Sequence, residues 1–251
     1  MTAAWLQFWD GSRTTFVNSR HKDVHYRLIA NDIAQLVPSP QACVVDYGCG
    51  EALYARAVAA FAAELILCEA APRARADLAV RFAGNETAKN PKIRVLGPGE
   101  VERLPDHSID LIVLHSVTQY LASNETEALF SLFHRLLRPN GRLIVGDVIP
   151  RQRHAGSDVV ALLRFAAANG FLMAALGGLV RLLFSDYRRL RGRLGLTRYE
   201  QAEIFQMLSA AGFAPQRARK NIGHDQARLA FIASPQTASQ SDDGAAVRLA
   251  L

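Results

Sequence analysis

The sequence predicts an α/β protein built on a doubly wound, mostly parallel sheet, and three observations point there. Cys43-Val44-Val45 is a short apolar run that ends in Asp46-Tyr47-Gly48-Cys49-Gly50, and Leu53, Ala57 and Val58 open a helical stripe after it. Apolar runs of strand length then alternate with helical patterns as far as Val148. Glu69 closes the second such run, Leu65-Ile66-Leu67-Cys68, 21 residues after Gly48. Glycine admits a left-handed turn and a close approach of backbone to ligand, and a helix N-terminus offers free N–H groups. An acid at the tip of the second strand can hold a ribose diol. Together these make a nucleotide cradle.

The elements follow in order. Residues 1–17 are aromatic and polar without a clear period, and read as a flap or extended arm. Val24, Leu28, Ile29, Ile33 and Leu36 give a helical stripe from Asn18 to Val37, stopped by Pro38 and Pro40. His21 and His25 share a face of it, but no third ligand is visible, so no metal site is expected. A helix from Pro72 to about Phe82, a polar loop from Gly84 to Pro91 and a strand Ile93-Arg94-Val95-Leu96 come next. Ser108 to Leu114 is a fourth strand, with His115 to Leu121 at its ligand-binding carboxyl end. A helix from Ser123 to Leu137 is broken by Pro139-Asn140-Gly141, and Arg142 to Val148 is the fifth strand. Thr197 and Glu200 have the spacing of a capping box for a helix that Gly212 ends. Phe213 to Lys220 and Ala227 to Ala233 form a closing hairpin.

Several of these stretches resemble one family. Asp46 to Ala52 is similar to the first motif of class I S-adenosylmethionine-dependent methyltransferases, D-x-G-x-G-x-G, with Ala52 where the last glycine is usual. A dinucleotide fold would instead want its third glycine at Leu53. Glu100-Val101 ahead of Leu104-Pro105, the Ile109-Asp110-Leu111 strand and Leu137-Arg138-Pro139-Asn140-Gly141 also look like that family, in its small-molecule, type 11 form. The resemblance implies a seven-stranded sheet with an antiparallel last strand and S-adenosyl-L-methionine as cofactor. It places cofactor contacts at Asp46, Gly48, Cys49, Gly50, Glu69, Ala70, Glu100, Val101 and His115. It also implies a leading helix over the cofactor, from which Arg20, His21, His25 or Tyr26 reach the methionine carboxylate or the substrate. His115 and Tyr120 are the catalytic candidates, with His25 and His154 behind them; the other role open to His115 is to wall the cofactor pocket. The competing readings are a nicotinamide-dependent oxidoreductase, for which a Tyr-x-x-x-Lys pair is missing, and a non-catalytic S-adenosylmethionine-binding protein.

The boundaries expected are an arm and cap helix at 1–40, a cofactor-binding core at 41–149 and a helical lid insertion at 150–196. A helix and hairpin at 197–235 complete the core, and 236–251 is a disordered tail. In the lid, Val159 to Phe184 is rich in Ala, Leu and Phe. Its longest uncharged stretch, Phe165 to Val180, is 16 residues with three glycines, short of the roughly 20 apolar residues of a membrane span. Asn169-Gly170 separates two short helices. The net charge of +6 is concentrated here, because residues 151–198 hold nine Arg against Asp158 and Asp186. The segment reads either as a lid packed on the sheet or as a pocket or surface for a lipophilic acceptor, with Arg188, Arg189, Arg191 and Arg193 near acidic head groups. The acceptor expected is a small molecule, lipid-like in one reading, with peripheral membrane contact open. Nucleic acid is disfavoured by the lack of interleaved aromatic and basic residues. Cys43, Cys49 and Cys68 are an odd count without metal-site spacing. With no signal peptide apparent, they suggest reduced thiols and a cytoplasmic location, at the membrane surface if the lid docks there. Nothing in the sequence specifies an oligomeric state.

Overall fold

The computed structural model describes residues 3–11, 16–83, 92–153, 155–183, 189 and 192–236. The expected loop at 84–91, His154, Arg188, Arg191 and nearly all of the expected tail lie outside them. The strands are β1 (Cys43–Tyr47), β2 (Glu64–Cys68), β3 (Lys92–Leu96), β4 (Ile109–His115), β5 (Leu137–Val148), β6 (Phe213–Arg217) and β7 (Leu229–Pro235). They form one sheet in the order β3-β2-β1-β4-β5-β7-β6. β1 to β5 pair in parallel, and β7 runs antiparallel to both β5 and β6. This is the doubly wound seven-stranded sheet that the sequence predicts.

Alternation along the strands decides which helices cover which face. Val45, Tyr47, Ile66, Cys68, Ile112 and Leu114 point to one side. There they pack under α6 (Ser123–Leu136) and α9 (Gln201–Ala210), with Phe130, Phe133, Ile204 and Leu208 fully buried. Val44, Leu65, Leu67, Leu111 and Val113 point to the other side, under α2 (Ser19–Leu36), α3 (Ala55–Ala59) and α4 (Pro72–Phe82). A third, smaller cluster joins α7 (Ala155–Ala168) and α8 (Leu172–Leu183) to α2 through Val24, Phe165, Ala166, Phe171 and Ala175. These two helices lie in the stretch expected to form a lid and are separated at Gly170, which is left-handed at φ +73°.

The helix of residues 19–36 begins and ends as expected, with the Asn18 side chain accepting from the His21 N–H at 2.8 Å. Four local expectations need correction. The N-terminal arm holds a helix, α1 (Ala3–Trp9), because Trp5 and Phe8 bury one face of it. Leu53 does not open the helix after the glycine turn; it is exposed, and the helix starts at Ala55. Pro139-Asn140-Gly141 is a bulge inside β5, whose pairing jumps from Ile109 with Leu137 to Leu111 with Arg142. Thr197 does not cap α9. Its hydroxyl donates to the Leu121 carbonyl at 2.6 Å, and the cap is made by Glu203, which accepts from the Glu200 N–H at 2.6 Å.

Candidate functional site

The carboxyl ends of β1, β2 and β4 open into one cavity of about 1210 Å³, roofed by α1 and α2. The turn after β1 is held by the Gly48 and Cys49 N–H groups, which donate to the Cys68 carbonyl at 2.8 and 3.1 Å. Gly48 sits at φ +80°, and a Cβ there would lie 2.4 Å from Val117 Cγ2. Only glycine fits that position. Gly50 is left-handed at φ +58°, and so is Ala52 at φ +41°, an uncommon conformation for a residue with a side chain.

Glu69 stands at the tip of β2 and is 8% exposed. Its Oε2 accepts from the Gly50 N–H at 3.0 Å and its Oε1 from the Ala71 N–H at 2.8 Å, so the carboxylate ties the glycine turn to the second strand. Arg75 donates to the Glu69 and Ala70 carbonyls at 2.8 and 3.1 Å and fixes the strand end. Burial, with Glu69 nearby, pushes the Asp46 carboxyl up to about 7. From above, the Tyr26 hydroxyl accepts from the Glu51 N–H at 3.2 Å, and Tyr54 bonds Asp23. Helix α2 is thereby fastened over the turn.

His115 ends β4 in the cavity wall. Burial holds its pKa below the ordinary histidine value, against the pull of Asp147 and Asp32. Its Nδ1 is buried and has no hydrogen-bond partner among the described residues; a Cβ on Gly146 would come within 2.9 Å of it. Beside it, Ser116 and Asp147 are both left-handed, at φ +59° and +60°, and the Ser116 hydroxyl donates to Asp147 Oδ2 at 2.7 Å. Strained backbone of this kind at two adjacent strand ends is a mark of functional sites. Tyr120 lies in the wall with its ring centroid 4.8 Å from that of Trp5 and 5.5 Å from that of Trp9.

The far end of the cavity is aromatic and rich in imidazole. Phe16, His21, His25 and His224 line it. His21 stacks on Phe171 at 5.0 Å and His224 on Phe165 at 4.2 Å, which joins this wall to the lid. Burial pulls His21 down to about 4 and His25 to about 3, and it lowers His224 as well. All are therefore neutral near pH 7.

Of the residues expected to contact cofactor, Asp46, Gly48, Cys49, Gly50, Glu69, Ala70 and His115 line this cavity. Glu100 and Val101 are not in its wall, which is formed there by Pro98 and Glu102. Glu100 turns back to accept from the Gly97 N–H at 2.7 Å, and Val101 is fully buried in the core. The sequence reading missed Ser116, Asp147 and His224. A left-handed serine or aspartate leaves no mark in the sequence, and His224 reaches the site only through the β6–β7 connection. No group of three or more His, Cys, Asp or Glu among the described residues could hold a metal ion.

Residues 45–145 match the model of a known family, described as a methyltransferase domain. The chain carries a stretch similar to that domain. Its fold is shared with the magnesium protoporphyrin IX methyltransferase of Synechocystis PCC 6803 with bound SAH. That structure is 18% identical, with a TM-score of 0.55 over 92% of this chain and 93% of the other. The same protein with bound SAM gives 15% identity and a TM-score of 0.54 over 92% and 89%. The YcgJ protein from Bacillus subtilis is 20% identical, with a TM-score of 0.53 over 78% and 71%. No curated protein gives a significant sequence match. The domain match favours methyl transfer over hydride transfer.

Proposed function

We propose that the chain transfers a methyl group from S-adenosylmethionine to a small lipophilic acceptor seated against the imidazole and aromatic wall. The observation that carries this reading is the two-ended cavity. One end offers left-handed glycines and a buried carboxylate, and the other offers Phe16 and neutral histidines. At about 1210 Å³ it exceeds the roughly 300–1,000 Å³ of a pocket for one ligand. There is room for cofactor and acceptor together.

The bound cofactor supplies an electrophilic methyl on a sulfonium. Glu69 would accept from a ribose diol with the lone pairs that its two backbone N–H donors leave free. Gly48 and Gly50 let the turn approach the ligand without a side chain between. Such a cofactor would supply its methyl to an acceptor atom held in line with the carbon–sulfur bond, the electron pair of that bond going to sulfur. Holding the two in line at near-attack distance is the main work of the site. Where the acceptor carries a proton, neutral His115 can take it, since burial keeps the imidazole unprotonated near pH 7.

The test is turnover of labelled S-adenosylmethionine in a whole-cell extract, followed by fractionation and identification of the labelled product. A labelled lipophilic product is expected. Label only in water-soluble or macromolecular fractions would overturn the acceptor class. In the same assay His115→Asn should lower kcat at least about tenfold with unchanged S-adenosylhomocysteine affinity if the histidine takes a proton; weakened affinity at unchanged kcat would make it a wall residue.

A further inference from the structure

The lid has an apolar face that no described residue covers. From Phe171 to Val180 the sequence is Phe-Leu-Met-Ala-Ala-Leu-Gly-Gly-Leu-Val, without one polar side chain. Phe171, Ala175 and Gly178 turn inward, and a Cβ on Gly178 would lie 2.4 Å from Val17. Leu172, Met173, Leu176 and Val180 turn outward and are 39%, 79%, 44% and 60% exposed. At about 100° per residue these four share one side of α8, where a surface helix ordinarily carries polar groups. Val159 and Val160 of α7 are exposed too. Exposed arginines flank the face in sequence: Arg164 before it, Arg189 and Arg193 after it.

We propose that this face docks on an anionic lipid bilayer, with α8 lying in the plane of the interface and the arginines among the head groups. Charge selects this occupant over a second copy of the chain. Pairing about a twofold axis would bring together two segments that each hold nine Arg against two Asp, in a chain of net charge +6. An anionic bilayer covers the same side chains and compensates the same charge. Docking does not need a span, and no helix among the described residues is long and apolar enough for one. The inner side of the same lid supplies Phe165 and Phe171, which stack on His224 and His21 of the cavity wall. A docked lid thus places the acceptor end of the cavity next to the bilayer. That last step rests on the proposed function; the docking itself does not.

The test is co-sedimentation of the full chain with vesicles of phosphatidylcholine alone, and of phosphatidylcholine with phosphatidylglycerol in equal parts. Binding to the anionic vesicles should be at least about tenfold tighter and should weaken as salt is raised. Met173→Ser combined with Val180→Ser should lower it about tenfold or more. Both side chains are exposed, so affinity for S-adenosylhomocysteine should not change. Arg189→Gln with Arg193→Gln should weaken binding to the anionic vesicles and leave the neutral ones unaffected. Failure to bind anionic vesicles, or equal binding by the Met173/Val180 variant, overturns the proposal. So does a solution dimer that the same variant dissolves, because the occupant is then a second copy. None of these measurements involves methyl transfer, so their failure leaves the catalytic reading standing.

Discussion

At the scale of single residues, the site rests on positions where one atom more or less changes the geometry. Gly48→Ala forces a left-handed alanine, at about 1–2 kcal/mol, and drives a methyl into Val117. A loss of about 2–4 kcal/mol in urea unfolding is expected, together with weakened S-adenosylhomocysteine binding; an unchanged midpoint would mean that the turn relaxes freely. Glu69→Ala removes the carboxylate assigned to the ribose. It should cost about 2–3 kcal/mol of S-adenosylhomocysteine affinity by calorimetry, the scale of charge-assisted hydrogen bonds. Glu69→Gln keeps one acceptor oxygen and should lose less. Equal affinity in a folded Glu69→Ala protein would remove the assignment. Gly48, Gly50 and Glu69 were legible in the sequence because glycine spacing and a strand-end acid are written in residue types. Ser116 and Asp147 were not, since a left-handed backbone at a serine or an aspartate is not written in the residue type. Ala52 shows the reverse case. It keeps the left-handed backbone usually given to glycine, so the departure in residue type is not a departure in turn geometry.

At the scale of elements, α2 and the lid share a histidine wall that should make the protein acid-sensitive. His21 and His25 titrate at about 4 and about 3 in the folded protein, mainly through burial, against an ordinary value of 6.5. The folded state therefore holds fewer protons than the unfolded chain below pH 6.5. Stability is lost as pH falls from there toward 3–4. Asp46, raised by burial to about 7 from 3.8, works in the opposite direction between pH 7 and 4 and masks part of the loss. His21→Asn with His25→Asn should accordingly lose less stability between pH 7 and pH 5 than the natural chain, by about 2–4 kcal/mol. Urea midpoints at the two pH values measure it, and equal pH dependence would show that neither imidazole is held neutral. The lid elements also differ from the sheet in hold. α7 and α8 reach α2 through one small cluster with a glycine at their junction, whereas the strands lie between two full helix layers. Amides of residues 156–183 should exchange with solvent well before those of β1 and β4. Exchange as slow as in the strands would place the lid in the global folding unit.

At the scale of the whole molecule, the topology was legible because each strand is an apolar run between helical stripes, and right-handed crossovers leave few ways to order them. Contacts that bridge distant parts of the chain were not. The sequence shows the arginines of residues 151–198 only as a concentration of charge, yet Arg153 is one of the most buried charges, with its side chain 4% exposed. It donates to Asp158 of α7 at 2.6 Å and to Asp225 of the β6–β7 connection at 2.5 Å. Arg228 adds ion pairs to both aspartates at 3.4 Å and to Asp147 at 3.8 Å. Two arginines and three aspartates, drawn from two separated stretches at 147–158 and 225–228, thus clamp the lid to the closing hairpin. They do so beside the strained Asp147 that lies next to His115. Arg153→Met leaves Asp158 and Asp225 with Arg228 as their nearest cation, so the loss should fall below that of a fully orphaned charge, at about 2–4 kcal/mol. Because the clamp joins lid to body, exchange in α7 should rise before the urea midpoint of the sheet moves, and raised salt should change little, the network being mostly shielded from solvent. If α7 exchange and the midpoint both match the natural chain, then the small apolar cluster on α2 holds the lid alone, and the buried charges serve only to shape the ends of β5 and the β6–β7 connection.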